Sequence, residues 1–317
     1  MTAQQAEPLS TALESLAQPT LRERFEDSAR LGTYATDLDL PGGPIRFDWS
    51  KTHLSAEVEA KLAEIATVMD FSGRRNALIG GEKINNTEGR AAEHTAQRGI
   101  GKDSSVEEAA AFHARMQMLV DAIHEGALGE VKSLIHIGIG GSALGPALAI
   151  DALTRNGAKV AVHVVSNIDG CALEAAMKAC DPATTMIALA SKTFTTTETI
   201  TNALSALDWL RDGGVSDPFG RVIALTAAPE KAVEWGVDET RVLPFSETVG
   251  GRYSLWSSIG FPVAIALGWQ GFAEFLDGAA AIDRHFIDAD IGENVVVRAA
   301  FADLYYAQVR GCQTRAV

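Results

Sequence analysis

Cysteine is scarce. The 317 residues hold three, Cys171, Cys180 and Cys312, an odd number with no Cys-x-x-Cys pair among them. Such a set suggests neither a disulfide framework nor a zinc site, and a reducing compartment, the cytoplasm, is expected. Positive charge is also in deficit, with 27 Lys and Arg against 41 Asp and Glu, a formal net charge of −14, and no basic run longer than Arg74-Arg75. A binder of polyanions gathers its Lys and Arg on one face, so nucleic acid is not an expected partner. The start, MTAQQAEPLSTALES, has no cationic beginning and no unbroken apolar stretch, so it does not read as a secretory signal. Ser133 to Ile150 lacks Asp, Glu, Lys and Arg, yet four glycines, His136 and Pro146 interrupt it. That pattern suits a buried strand and its turn, and no membrane span is expected. The histidines are scattered without ligand spacing, so no metal is expected. A G-x-S-x-G elbow and a G-x-x-x-x-G-K-[ST] loop are both missing, which sets aside serine hydrolases and Walker-type NTPases.

What is present suits a globular chain. Hydrophobic residues make up 47% and charged residues 21%, enough for a buried core, and the length suggests about two domains. Up to about Gly126 the chain reads as mostly helical, with an extended piece at Ile45 to Trp49 after Pro41-Gly42-Gly43-Pro44. Its clearest helix is predicted from Val106 to His124, with Ser105 and Glu108 as a capping box. Short β-branched runs then alternate with helical ones. Strands are predicted at Ser133–Ile137, Lys159–Val165, Thr185–Ala190, Arg221–Leu225 and Arg241–Leu243, and helices at Leu144–Leu153, Gly170–Ala179, Thr197–Leu210 and Pro229–Trp235. Apolar strands without alternation are covered on both faces, so the expected architecture is α/β, a parallel sheet sandwiched between helices. Helices return at Leu255–Leu267, Phe272–Phe286 and from Glu293, the last with Leu304, Tyr305 and Val309 expected to stand uncovered.

Ligands of such sheets sit beyond the carboxyl ends of the strands, which directs attention to three turns. IHIGIGGSALGP, residues 135–146, runs from strand through glycines to helix. Glycines admit a close approach, and free N–H groups at a helix start favour an anion. Gly138, Gly140 and Ala143 also satisfy the dinucleotide pattern, although the second strand ends in Ser166-Asn167 where a ribose-binding acid belongs. Tight strand-to-helix packing would account for the same glycines. ASKTFTTTET, residues 190–199, places Ser191, Thr193, Thr195, Thr196 and Thr197 beside Lys192. Capping explains one or two of these hydroxyls, whereas a phosphate needs several donors at once. In VGGRYSLWSSIG, residues 249–260, Arg252 follows paired glycines and could reach a ligand on the neighbouring strand ends; a surface ion pair with Glu247 is the plainer account. In INNTEGRAAEHTAQR, residues 84–98, helical spacing would put Arg90, His94 and Arg98 on one face, with Glu88 and Glu93 as ion-pair partners.

Those segments, with VSNIDG at 165–170, resemble the phosphoglucose isomerase family in order and spacing over most of Ile84 to Val317; FDWSKTHL is more loosely similar to its N-terminal strand segment. The resemblance implies a fold of two sugar-isomerase (SIS) domains in a dimer, each a three-layer α/β/α sandwich. On this chain it implies a mostly helical N-terminal region at 1–126, the first SIS domain at 127–286, and a helix at 287–317 leading toward a second SIS domain that is absent. The implied activity is reversible isomerisation of glucose 6-phosphate and fructose 6-phosphate, in glycolysis and gluconeogenesis, without a cofactor. Gly141, Ser142, Ser191, Lys192, Thr193 and Thr196 would bind the sugar phosphate, Lys192 through its backbone N–H or its side chain, and Arg252 would face the reacting carbons. The family's glutamate base, ring-opening histidine and late lysine have no counterpart here, because Gly81-Glu82 and Gly129-Glu130 lack the neighbours of the glutamate motif. The 317 residues alone are therefore expected to be inactive. A non-catalytic SIS module that senses sugar phosphates would use the same hydroxyl loops. An NAD-dependent dehydrogenase would use the 138–143 glycines but gives no reason for SKTFTTTET.

Overall fold

The computed structural model describes residues 11–16 and 18–315, so the N-terminal reading over residues 1–10 and the closing Ala316-Val317 lie outside the described residues. The chain divides into two compact units. One joins the residues up to Leu78 with those from Gly278 onward, and the other is Ile79–Asp277. Residues 79–126, expected with the N-terminal region, thus go with the sheet.

In the first unit, strands β1 (Ala35–Leu40) and β2 (Gly43–Asp48) form an antiparallel hairpin where one extended piece is predicted. Aspartate is depleted in strands, which hides ATDLDL in the sequence. Its acids are accommodated at the surface, where Asp37 lies opposite Arg46 and pairs with it at 3.1 Å. Leu38 and Phe47 turn inward beside α1 (Ala56–Val68) and α2 (Phe71–Ile79). The closing helix, Val295–Leu304, completes this core with Val295, Val297 and Phe301. Tyr305 corrects an expectation. A widened turn at Tyr305–Val309 follows the helix, and Tyr305 is buried in the core while Leu304 stays exposed.

The second unit is a five-stranded parallel sheet. Its strands are β3 (Ser133–Gly138), β4 (Ala161–Val165), β5 (Thr185–Ala190), β6 (Val222–Thr226) and β7 (Val242–Pro244), in the order β4-β3-β5-β6-β7. Side chains alternate across the sheet with period two. Leu134, Met186, Ile223 and Leu225 pack under α3 (Asp103–His124), α4 (Gly141–Leu153), α8 (Phe261–Leu267) and the first half of α9 (Trp269–Asp288). Ile135, Ile187, Leu189 and Ala224 pack under α5 (Gly170–Lys178), α6 (Thr197–Asp212) and α7 (Pro229–Trp235). The three-layer α/β/α architecture is as expected.

The topology fixes where a ligand can sit. The chain leaves β3 for β4 on one side, then crosses back to β5 on the other side of β3. Because α4 covers one face and α6 the opposite face, the two connections part above the β3–β5 boundary and open a crevice there.

Several helix starts are displaced from their expected places, among them Leu144 to Gly141 and Phe272 to Trp269. Helix α3 begins two residues before Ser105, whose hydroxyl donates to the Glu93 carboxylate at 2.7 Å instead of forming a capping box. A charged acceptor makes the stronger bond. The Leu255–Leu267 helix is confined to Phe261–Leu267, preceded by 3-10 turns at Gly251–Trp256 and Ser258–Gly260. Ser257 interrupts the run, its hydroxyl donating to the Ser254 carbonyl and accepting from the Ile259 amide.

Candidate functional site

Three turns meet over the carboxyl ends of β3, β5 and β7. The first passes from Gly138 to the start of α4. Gly140 has φ +57, and a side chain on Gly141 would overlap the backbone of Gly251. The Gly140-Gly141 turn therefore lies directly against the Gly250-Gly251 turn, a packing that no other residue type allows. Ser142 is half-buried, and its hydroxyl is taken by no side chain or carbonyl among the described residues.

The second turn is the hydroxyl loop. Ser191 Oγ lies 2.9 Å from Thr196 Oγ1, and Thr193 Oγ1 lies 2.7 Å from Thr195 Oγ1. Thr196 occupies the N-cap position of α6, yet its side chain caps nothing. Capping therefore does not account for this hydroxyl, which faces Ser191. The loop is held from below by β6, with the Ser191 amide donating to the Leu225 carbonyl at 3.1 Å and the Ala227 amide to the Lys192 carbonyl at 3.0 Å. Phe194 takes the left-handed conformation with φ +52, and its buried ring meets Trp235 edge-on at 5.9 Å. A non-glycine residue in that region is strained, and the Trp235 contact holds it.

The Lys192 ammonium reaches the Glu247 carbonyl at 2.6 Å. Burial, followed by the charge of Arg90, holds its pKa below the usual lysine range, while Glu247 opposes the shift. Lys231, which the sequence reading passes over, donates to the Thr193 carbonyl at 3.4 Å from the start of α7. Its place after β6, another strand end, is the signal that could have found it.

The third turn carries Arg252. Its guanidinium lies 4.7 Å from the centroid of the Tyr253 ring, and among the described residues no carboxylate, Glu247 included, pairs with it. The plainer account of Arg252 is thus not realised. Tyr253, also missed in the sequence, meets the His94 ring edge-on at 6.2 Å.

Residues 84–98 do not form one helix. The Asn85 side chain accepts from the Thr87 hydroxyl and the Glu88 amide, and Gly89 has φ +65, so the chain turns before Arg90. Arg90 pairs with Glu88. His94 and Arg98 share a 3-10 turn, His94–Arg98. His94 Nε2 lies 3.0 Å from the Gly250 carbonyl, and burial holds its pKa below the usual range. The Arg98 guanidinium lies over the Trp256 ring at 5.0 Å. His94 and Arg98 thus brace the third turn.

The dinucleotide reading finds no support at the end of β4. Asp169 caps α5, accepting from the Cys171 amide at 2.9 Å, and Asn167 accepts from the Asp169 amide. Among the described residues, no group of three or more His, Cys, Asp or Glu side chains could hold a metal ion. Among them too, no helix is long and apolar enough to cross a membrane.

Hydroxyls, backbone amides at the starts of α4 and α6, Lys192 and an unpaired arginine on one crevice suit an anionic ligand. The profile of the phosphoglucose isomerase family matches residues 48–317. The chain belongs to that family. It is similar to glucose-6-phosphate isomerase of Novosphingobium aromaticivorans, 83% identical over 317 residues, which is 100% of this chain and 62% of that protein. It is also similar to glucose-6-phosphate isomerase of Erythrobacter litoralis, 63% identical over 96% of this chain and 61% of that protein. The chain thus spans a little over three fifths of the length of these relatives. In fold it resembles the crystal structure of a glucose-6-phosphate isomerase from Chlamydia trachomatis, with a TM-score of 0.83 at 22% identity over 96% of this chain and 60% of that one.

Proposed function

We propose that this chain supplies the sugar-phosphate cradle of an aldose–ketose isomerase that interconverts glucose 6-phosphate and fructose 6-phosphate. The observation that carries the reading is the convergence of Ser142, Ser191, Lys192, Thr193 and Thr196 over the β3–β5 crevice, together with membership of the family. In this reading Gly141 brings its backbone to the phosphate, the hydroxyls and amides supply donors, and Arg252 stands toward the sugar carbons. Moving a proton between C1 and C2 passes through an enediolate, whose negative charge a fixed guanidinium stabilises. A guanidinium stays protonated and cannot be the base. No residue of this cleft is assigned that role. Glu247 is exposed and gives its carbonyl to Lys192, and Glu198 lies in the first turn of α6.

The same reading includes a homodimer in the cytoplasm. Leu144 and Leu148, 61% and 71% exposed on α4, support an apolar contact between copies.

The test is a double substitution. Charge-assisted bonds to a dianion are worth about 1.5–3 kcal/mol each, so Ser191→Ala with Thr193→Ala should weaken glucose 6-phosphate binding, measured by calorimetry, by about tenfold or more. Unchanged affinity would exclude this loop as the phosphate site.

A further inference from the structure

His136 is an odd residue for its place. It lies in the middle of β3 with no exposed surface, where a strand covered on both faces calls for an apolar side chain. Its Nε2 lies 2.7 Å from the backbone carbonyl of Ser142. A carbonyl only accepts, so Nε2 carries the proton. Nδ1 is then a bare acceptor, and it is buried without a partner among the described residues. Burial pushes the pKa of the ring down to about 4, with the Ser142 bond opposing, so the ring is neutral at ordinary pH. An orphaned nitrogen and a desolvated ring are costs that a leucine would avoid.

The explanation lies four residues beyond Ser142. In an α-helix the carbonyl of residue i accepts from the N–H of residue i+4. For Ser142 that residue is Pro146, which stands inside α4 and has no N–H to give. A proline ring also crowds the carbonyl four residues back and tilts it outward. The Ser142 carbonyl thus loses its helical donor, and the imidazole on the adjoining strand provides another. Pro146 is itself buried.

We infer that His136 and Pro146 act as one device that fixes the first turn of α4 and so aims Ser142 at the ligand crevice. Proline frees the carbonyl, histidine captures it, and the turn, whose Leu144 amide still reaches the Gly140 carbonyl at 2.9 Å, is tied to the sheet as well. His136 is a positioning residue in this account. It touches no substrate and acts through Ser142, so the inference rests on the phosphate-cradle reading above.

Four variants of the 317-residue chain, His136→Leu, His136→Gln, Pro146→Ala and His136→Leu with Pro146→Ala, test it, with melting temperature and the dissociation constant for glucose 6-phosphate as readouts. His136→Leu removes the donor and should weaken binding at least tenfold. His136→Gln keeps a donor N–H at the same reach and should bind within about threefold of wild type. Pro146→Ala restores a helical N–H for Ser142, so adding it to His136→Leu should recover most of the lost affinity and much of the lost melting temperature. That suppression is the diagnostic result, since a merely space-filling histidine would give independent, additive effects. Additive changes in both readouts, or a His136→Gln variant as weak as His136→Leu, overturn the inference. Should His136→Leu fail to fold, a soluble double variant supports the exchange of donors, and failure of both overturns it. A wild-type chain that ignores glucose 6-phosphate overturns the cradle reading and the aiming role with it, while the melting temperatures still decide the exchange of donors.

Discussion

At the scale of single residues, the most informative groups are those that burial and neighbours force out of their ordinary state. His136 has its pKa pushed down to about 4, while in the unfolded chain it titrates near 6.5. As pH falls from about 6.5 toward 4, the unfolded chain takes up a proton that the folded ring refuses, so stability falls with falling pH in that window. At about 1.36 kcal/mol per pH unit, the loss attributable to this ring is on the order of 3 kcal/mol. Urea midpoints measured between pH 7 and 4 should therefore drop more steeply for wild type than for His136→Gln. His94 and His113 are also depressed by burial and contribute in the same direction to both proteins, so the difference isolates His136. Parallel curves would show that the ring is protonated in the folded state.

At the scale of elements, the sequence speaks clearly where one force decides and poorly where two compete. The strands of the large sheet are legible because desolvation alone selects them. β5 reads as Thr185–Ala190 in both sequence and structure, buried along its whole length. The hairpin strand Ala35–Leu40 is hidden because its aspartates oppose strand propensity, and only pairing with Arg46 across the ladder reconciles them. Helical spacing suggests a common face for Arg90, His94 and Arg98, but the Asn85 side chain and Gly89 turn the chain first. The hydroxyl cluster at 191–196 could be recognised from residue types. Which hydroxyl meets which could not, since Thr196 faces Ser191 across a loop whose path is set by backbone bonds to Leu225 and Ala227. Likewise the bond from His136 to Ser142 needs the strand and the helix start brought side by side. Pro146 in the sequence was a clue to an unfilled carbonyl, though not to the group that fills it.

At the scale of the whole molecule, the reversal of strand order between β3 and β5 opens the crevice, and the three turns line it. In the proposed reading, a phosphate cradle becomes a catalytic site only when further groups, a base first among them, join it. There Arg252 would stabilise an enediolate, but no residue of the cleft is assigned as the base. These 317 residues, incubated with glucose 6-phosphate in heavy water, should leave hydrogen at C2 unexchanged and form no fructose 6-phosphate detectable by NMR. Exchange above that of a mock preparation would place the base among the carboxylates present, with Glu198 and Glu247 the first to substitute.

In the proposed reading, the β3–β5 crevice receives the phosphate of a hexose 6-phosphate, and every other role follows from that. This placement is tested most directly by titrating the isotope-labelled chain with glucose 6-phosphate, and separately with glucose, while following backbone amide shifts. The account predicts saturable shifts centred on Gly141, Ser142 and residues 191–196 with the phosphosugar, and none there with glucose. Shifts confined to other residues, or none at millimolar glucose 6-phosphate, would contradict it.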